Sequence, residues 1–222
     1  MRDIKVYTHY KCENGIDYRW RTIIQIGDSW DIRGTIFMKN PGSSDSIESS
    51  NKSIEDSVVL EKLRTFDDRR TSLSCEWYEF SVDRTMISVI NLFKAYYEAH
   101  GKQLSGVIQI FNLFNIRDAN LWNAIDRLKG NIVEDLAFTT KYDIDHIVPP
   151  VYIGWGYLWK NPTLRKNAEE IFKAVKNNNS YLCDGIQNNK FYHPLYLMVY
   201  GKNREKCKEE MNRFKTCQGP VT

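Results

Sequence analysis

The sequence contains no long hydrophobic run and no closely spaced cysteine pair. Its most apolar stretch, residues 107–116, is interrupted by Gln109, Asn112 and Asn115, whereas a membrane-spanning helix needs about 20 apolar residues. The five cysteines are an odd number and form no C-x-x-C motif. Because this pattern fits reduced thiols, we expect a cytoplasmic protein that does not bind a membrane.

Three common signatures of α/β enzymes are also missing. Neither the phosphate-binding pattern G-x-x-x-x-G-K-[ST] nor the dinucleotide-binding pattern G-x-G-x-x-G occurs, which argues against a nucleotide kinase and a nicotinamide-dependent dehydrogenase. The zinc-deaminase pattern, H-x-E followed by P-C-x-x-C, is absent as well. The sequence therefore argues against these three chemistries.

The composition is that of an ordinary globular domain. Hydrophobic residues make up 42% of the 222 residues, aromatic residues 13% and charged residues 27%. A chain of this length usually forms one folding unit, so we expect one monomeric domain over 1–222 with a polar insertion at about 45–80. The formal net charge of +3 permits a DNA partner but does not by itself indicate one.

Apolar runs and helical periodicity alternate along the chain. We expect strands at 22–27, 34–38, 107–111 and 151–155, and the first two could pair as a hairpin. Helical spacing predicts helices at 82–100, 121–128, 164–175 and 201–215. Shorter strand candidates lie at 181–183 and 191–199. This alternation favours an α/β fold with a parallel sheet flanked by helices.

Four short segments rich in polar residues or glycine stand at the ends of these predicted strands. In an open parallel sheet, such strand ends converge on one crevice, where ligands bind. The four segments are N-P-G-S-S at 40–44, N-L-F at 112–114, G-W-G at 154–156 and H-P-L-Y at 193–196.

In this order the segments resemble a bacterial family of small domains with Asn-Pro-Ser, Asn-Leu-Phe, Trp-Gly and His-Pro-Leu-Tyr motifs. They also resemble the uracil-DNA glycosylase superfamily, most closely the mismatch-specific and thymine-DNA glycosylases, whose first motif reads Gly-Ile-Asn-Pro-Gly. The likeness covers most of 34–197. It implies a three-layer α/β/α sandwich with a mainly parallel sheet. It also implies a monofunctional enzyme that flips a base out of DNA and hydrolyses its N-glycosidic bond.

The resemblance assigns a role to each matched position. Breaking an N-glycosidic bond builds positive charge on the sugar and negative charge on the base, so the site needs a held water and a hydrogen-bond donor. Asn40 would orient the water, and His193 would stabilise the departing base. Asn112 would bind the flipped base beside Phe111, and Asn115 is a competitor for that role.

The same resemblance implies DNA contacts around the site and no metal or cofactor. Lys39 stands where the family has a small apolar residue, and the residues after His193 differ from the family's wedge. Uracil, mismatched thymine and a modified cytosine therefore remain open as substrates, and a modified pyrimidine would suit a defence against phages with modified DNA. The expected phosphate-binding residues are Lys39, Gly42, Ser43 and Ser44, and the expected wedge is Leu195 and Tyr196.

Two other functions remain possible from the sequence. Asp143, Asp145 and His146 could hold a divalent ion in a nuclease or phosphohydrolase, with Asp83 or Glu134 completing the ligands. Alternatively, a non-catalytic nucleotide- or protein-binding module would keep the crevice without the chemistry.

The polar insertion at 45–80 begins directly after the first motif. Long loops of this kind are usually functional lids or disordered insertions. If the insertion is a lid, Arg64, Arg69 and Arg70 would contact phosphates, with Asp67 and Asp68 partly offsetting their charge.

Overall fold

The computed structural model describes residues 3–42, 53–66, 76–139, 141–176, 181–200 and 204–217. Six β-strands and seven α-helices lie in these ranges. The strands are β1 (Ile4–Glu13), β2 (Ile16–Ile26), β3 (Ile32–Met38), β4 (Trp77–Phe80), β5 (Gly106–Asn112) and β6 (Val151–Ile153). The helices are α1 (Ser57–Arg64), α2 (Arg84–Ala99), α3 (Leu121–Arg127), α4 (Glu134–Ala137), α5 (Lys141–Ile144), α6 (Pro162–Lys176) and α7 (Glu205–Thr216).

The strands form one open sheet in the order β4-β1-β2-β5-β3-β6. β3 is parallel to both of its neighbours, β5 and β6. The β1–β2, β1–β4 and β2–β5 pairings are antiparallel. The fold is therefore α/β as expected, but the sheet among the described residues is mixed rather than mainly parallel. The expected hairpin between 22–27 and 34–38 is wrong, because β5 lies between β2 and β3.

The position of β5 follows from its burial. All seven of its residues are buried, so the strand needs a neighbour on each side and cover on both faces. A strand of this kind shows no alternation of polar and apolar residues, and its sequence therefore does not reveal its neighbours. The chain leaves β3 and passes through α2 before it returns as β5, which gives the parallel β3–β5 pair.

The sequence patterns miss two strands, β1 and β4, and predict two others that do not form. β1 was not expected, and the polar insertion is only partly a surface excursion, because its last residues form β4 and pair with β1. Leu63 of α1 is also buried, in a cluster with Tyr7 and Ile23. The segments expected as strands at 181–183 and 191–199 are not strands, and residues 196–200 form a π-helical turn instead.

Helices α2 and α7 pack on one side of the β3–β6 pair. The rings of Phe93 in α2 and Phe214 in α7 meet edge to face at 5.6 Å, and Phe214 meets Tyr152 of β6 at 5.1 Å. Gly34 in β3 makes this packing possible, because a Cβ there would lie 2.3 Å from Cε1 of Phe93. This contact fixes α2 against the strand that leads into the first motif.

Across the described ranges, no helix combines the length and the apolar character needed to cross a bilayer. Four cysteines lie in these ranges, and they form no disulfide with one another.

Candidate functional site

A cavity of about 120 Å³ opens where β3 and β5 end. Met38 and Asn112 are the last residues of these two strands and pair in the parallel register. The following segment of each strand, together with the start of α2 and the His193 loop, encloses the cavity. Its polar lining consists of Arg19, Thr22, Lys39, Asn40, Asp83, Thr85, Asn112 and His193.

Asn40 is held in place through its side-chain amide. Its Nδ2 donates to the backbone carbonyl oxygens of Asp118, at 3.1 Å, and Ile116, at 3.4 Å. No residue in the described ranges donates a hydrogen bond to its Oδ1. The side chain therefore presents a fixed acceptor, which suits the orientation of a water molecule.

Asn112 lines the cavity with a side chain that is only 2% exposed. Its backbone carbonyl accepts a hydrogen bond from the Thr139 hydroxyl, while no hydrogen bond of its side-chain amide is found within the described part of the chain. Buried amides normally have partners inside the protein. An amide that instead faces a cavity can offer one donor edge and one acceptor to a heterocycle.

The two other expected base-binding residues do not line the cavity. Asn115 is buried, and its Nδ2 donates to the Leu136 carbonyl at 3.0 Å. Phe111 packs against Phe37, with ring centroids 5.6 Å apart. Both side chains therefore belong to the protein interior, because residues 111 and 115 point away from the strand end that Asn112 presents.

His193 and Lys39 meet at the edge of the cavity. Burial lowers the pKa of the His193 imidazole from its ordinary 6.5 to about 4, and the positive charge of Lys39 contributes to the same shift. Burial also lowers the pKa of Lys39. His193 is consequently a neutral imidazole at physiological pH, and it can donate a hydrogen bond without carrying a charge.

Glycines at the end of β6 bring the His193 loop close to β3. A Cβ on Gly154 would lie 2.9 Å from Cδ of Pro194, so only a glycine lets the proline sit there. The Gly156 amide donates to the Phe191 carbonyl at 2.7 Å. The G-W-G and H-P-L-Y segments are thus joined, as their expected convergence requires.

Arg19 and Asp83 complete the cavity, although neither belongs to the motifs that were expected to form it. Arg19 projects from β2 with 3% of its surface exposed, and its Nη2 donates to the Pro41 carbonyl. Its guanidinium also lies over the ring of Phe80, 5.2 Å from the centroid. Two sequence features could have indicated these residues. Arg19 is a charged residue within a strand that is otherwise largely buried, and Asp83 is an N-cap residue directly before α2.

The expected DNA-contacting residues lie in different places. Lys39 and Gly42 line the cavity, whereas Ser43 and Ser44 fall outside the described residues. Leu195 is half-buried and does not line the cavity. The Tyr196 ring stacks on Tyr192 at 5.7 Å, and its hydroxyl accepts a hydrogen bond from Arg204 at 2.6 Å.

Arg64, which was expected to contact phosphates from the insertion, is exposed in the last turn of α1. Arg69, Arg70, Asp67 and Asp68 lie outside the described residues.

The alternative metal site is not assembled. Asp143 is buried and forms an ion pair with Arg21, whose Nη1 lies 3.9 Å from its Oδ1. Asp145 is exposed, and Asp83 lies in the cavity instead. No group of three potential metal-binding side chains occurs among the residues that the structure describes.

Comparisons with protein-family models, with curated proteins and with solved structures gave no match. The cavity combines a fixed amide acceptor, a neutral imidazole, a carboxylate and a buried amide that has no hydrogen-bond partner among the residues that the structure describes.

Proposed function

We propose that the protein is a DNA glycosylase that hydrolyses the N-glycosidic bond of a flipped pyrimidine and leaves an abasic site. The observation that supports this most is the meeting of Asn40, Asn112 and His193 in one cavity at adjacent strand ends. These residues lie far apart in the sequence, and the resemblance to uracil-DNA glycosylases gives each of them a role. Helices α2 and α7 cover one side of the sheet, which is compatible with one helical layer of the implied three-layer arrangement.

The chemistry follows from the side chains. Asn112 binds the polar edge of the base, and Asn40 holds a water near C1′ of the sugar through its Oδ1. The C1′–N bond breaks as positive charge builds on the sugar and negative charge on the base. The neutral His193 donates a hydrogen bond to the departing anion, and a neutral imidazole is sufficient for such electrophilic assistance.

The size of the cavity favours a single base. Pockets for drug-sized ligands usually measure about 300–1,000 Å³, whereas this cavity measures about 120 Å³. A cavity of this size suits a base better than a whole nucleotide, so we place the sugar and phosphates at its mouth. A modified pyrimidine, as in phage DNA, would need its substituent to project through that mouth.

The DNA partner is proposed from the same arrangement. Lys39 lies at the cavity edge, where a strand that delivers a flipped base places its phosphates. Tyr196 would act as a wedge only after leaving Tyr192 and Arg204, so we assign the wedge to Leu195 first. A monomer and a cytoplasmic location remain predictions, and a role in defence follows only if a modified base is the substrate.

The test is direct. Purified protein is incubated with oligonucleotides that carry uracil, a thymine mismatch or a phage-modified cytosine, followed by alkali cleavage and mass analysis of the released base. We expect alkali-labile sites and a free base, with the rate unchanged in excess EDTA. A loss of activity in EDTA would favour the metal-dependent nuclease, and intact DNA throughout would favour a non-catalytic binding module.

Asn40→Ala tests the mechanism. We expect the variant to fold and to bind DNA but to lose at least about 100-fold in rate, because water is no longer oriented. Asn123→Ala, at an exposed position on α3, is the matched control and should keep the wild-type rate. A folded Asn40→Ala variant with normal turnover would refute the role of Asn40.

A further inference from the structure

Asp83 is the only acidic side chain among the described residues that line the cavity. It is placed there by the sheet, because β4 pairs with β1 and the chain then turns through residues 81–82 into α2. Its carboxylate caps α2 by accepting from the Met86 amide at 2.8 Å through Oδ1. No described residue donates to its Oδ2.

The capping role alone does not account for the position of Asp83. Asp56 caps α1 in the same way, by accepting from the Val58 and Val59 amides at 2.9 and 3.2 Å. It is not among the described residues that line the site cavity. Asp83 differs because it lines the same cavity as Asn40 and His193. The two aspartates thus share one local structure and differ in surroundings.

The proposed reaction needs a proton acceptor that Asn40 and His193 do not provide. An amide such as Asn40 orients water but does not take up its proton. His193 is a neutral imidazole that already donates a hydrogen bond to the departing base in the proposed reaction, so it does not also receive the water proton. The carboxylate of Asp83 is the remaining group with the chemistry of a general base.

We propose that Asp83 is a catalytic residue, the general base that activates the attacking water. The inference depends on the glycosylase function proposed above. Water attacks C1′ and forms the new C1′–O bond, while the C1′–N bond breaks and its electron pair leaves with the base. The water proton passes to Oδ2 of Asp83. The base anion is then protonated from solvent, and Asp83 returns its proton to solvent.

Asp83 shares the cavity with the positive side chains of Arg19 and Lys39 and with the neutral His193. The negative charge of Asp83 also stabilises the positive charge that develops on the sugar. One residue therefore serves the water and the sugar, which neither asparagine in the cavity can do.

Asp83→Asn separates catalysis from capping, because asparagine is as good an N-cap as aspartate. Single-turnover rates are measured on the uracil, thymine-mismatch and modified-cytosine oligonucleotides, together with binding to a non-cleavable 2′-fluoro analogue and the thermal midpoint Tm. We expect a rate loss of about 10²- to 10⁴-fold, with unchanged Tm and analogue affinity. Asp56→Asn is the matched control and should keep the wild-type rate.

A second variant tests the same role if Asp83→Asn does not fold. Asp83→Ser also keeps a capping side chain, and added formate should recover part of its rate by taking the place of the carboxylate. A wild-type rate in folded Asp83→Asn would overturn the general-base role while leaving the glycosylase function intact. If the wild-type protein releases no base from any of the three oligonucleotides, the glycosylase function and the role of Asp83 both fail.

Discussion

His193 is expected to titrate far below an ordinary histidine, and this prediction does not depend on the proposed function. Burial is the larger cause and Lys39 the smaller one, and together they lower its pKa from 6.5 to about 4. A difference of this size disfavours the charged imidazole by about 3 kcal/mol. At pH 5.5 about 97% of His193 should be neutral, whereas an unperturbed imidazole would be only about 9% neutral.

The assay is an NMR titration of the imidazole resonances between pH 3.5 and 8. The chain has four histidines, and the His193 signal is identified by its loss in His193→Asn. Lys39→Met should raise the pKa of His193, because it removes the positive charge while keeping a similar side-chain length. The value should stay below 6.5, since burial remains. A wild-type His193 that titrates near 6.5 would refute the reasoning.

The same shift has a consequence for stability, and its sign is fixed. Between pH 6.5 and 4 the unfolded chain binds a proton at position 193 that the folded protein does not bind. The free energy of unfolding therefore falls as the pH is lowered through this range, by up to about 3 kcal/mol, and this contribution changes no further below pH 4. His193→Asn should lack this part of the pH dependence in urea unfolding.

Three further predictions concern the fold that positions the site. Arg21→Met should destabilise the protein by about 3–5 kcal/mol in urea unfolding, because it removes the positive charge that pairs with the buried Asp143; adding Asp143→Leu should recover most of the loss, and no recovery would contradict the ion-pair explanation. Gly34→Ala should cost at least about 1–3 kcal/mol, through overpacking against Phe93 and the Pro150 carbonyl and through the φ of +149° at this position, whereas Gly130→Ala, which meets no atom closer than 3.4 Å and has no positive φ, should cost less; equal losses would exclude the packing explanation. Asn115→Ala should lower stability by about 1–3 kcal/mol, since the Leu136 carbonyl loses its donor, and a stable but inactive variant would instead return Asn115 to the site.

Local patterns in the sequence predicted the elements that carry the candidate site. The helix expected at 82–100 is α2 (Arg84–Ala99), and the one expected at 164–175 is α6 (Pro162–Lys176). The strands expected at 34–38 and 107–111 are β3 and β5, and the turn residues after them mark Asn40 and Asn112. These predictions succeed because side-chain periodicity and turn residues act within a few positions along the chain.

Other properties depended on the tertiary structure. The sheet order was not predictable, since β5 is buried on both faces and its sequence does not indicate which strands pair with it. β4 lies in a segment that was expected to be a polar loop, and it forms a strand by pairing with the edge of β1. Arg19 and Asp83 reach the cavity through that strand order. Asn112 lines the cavity while the equally buried Asn115 is hydrogen-bonded to the Leu136 carbonyl, and the neutral state of His193 follows from its burial. Long-range packing creates both conditions, and local sequence patterns do not reveal them.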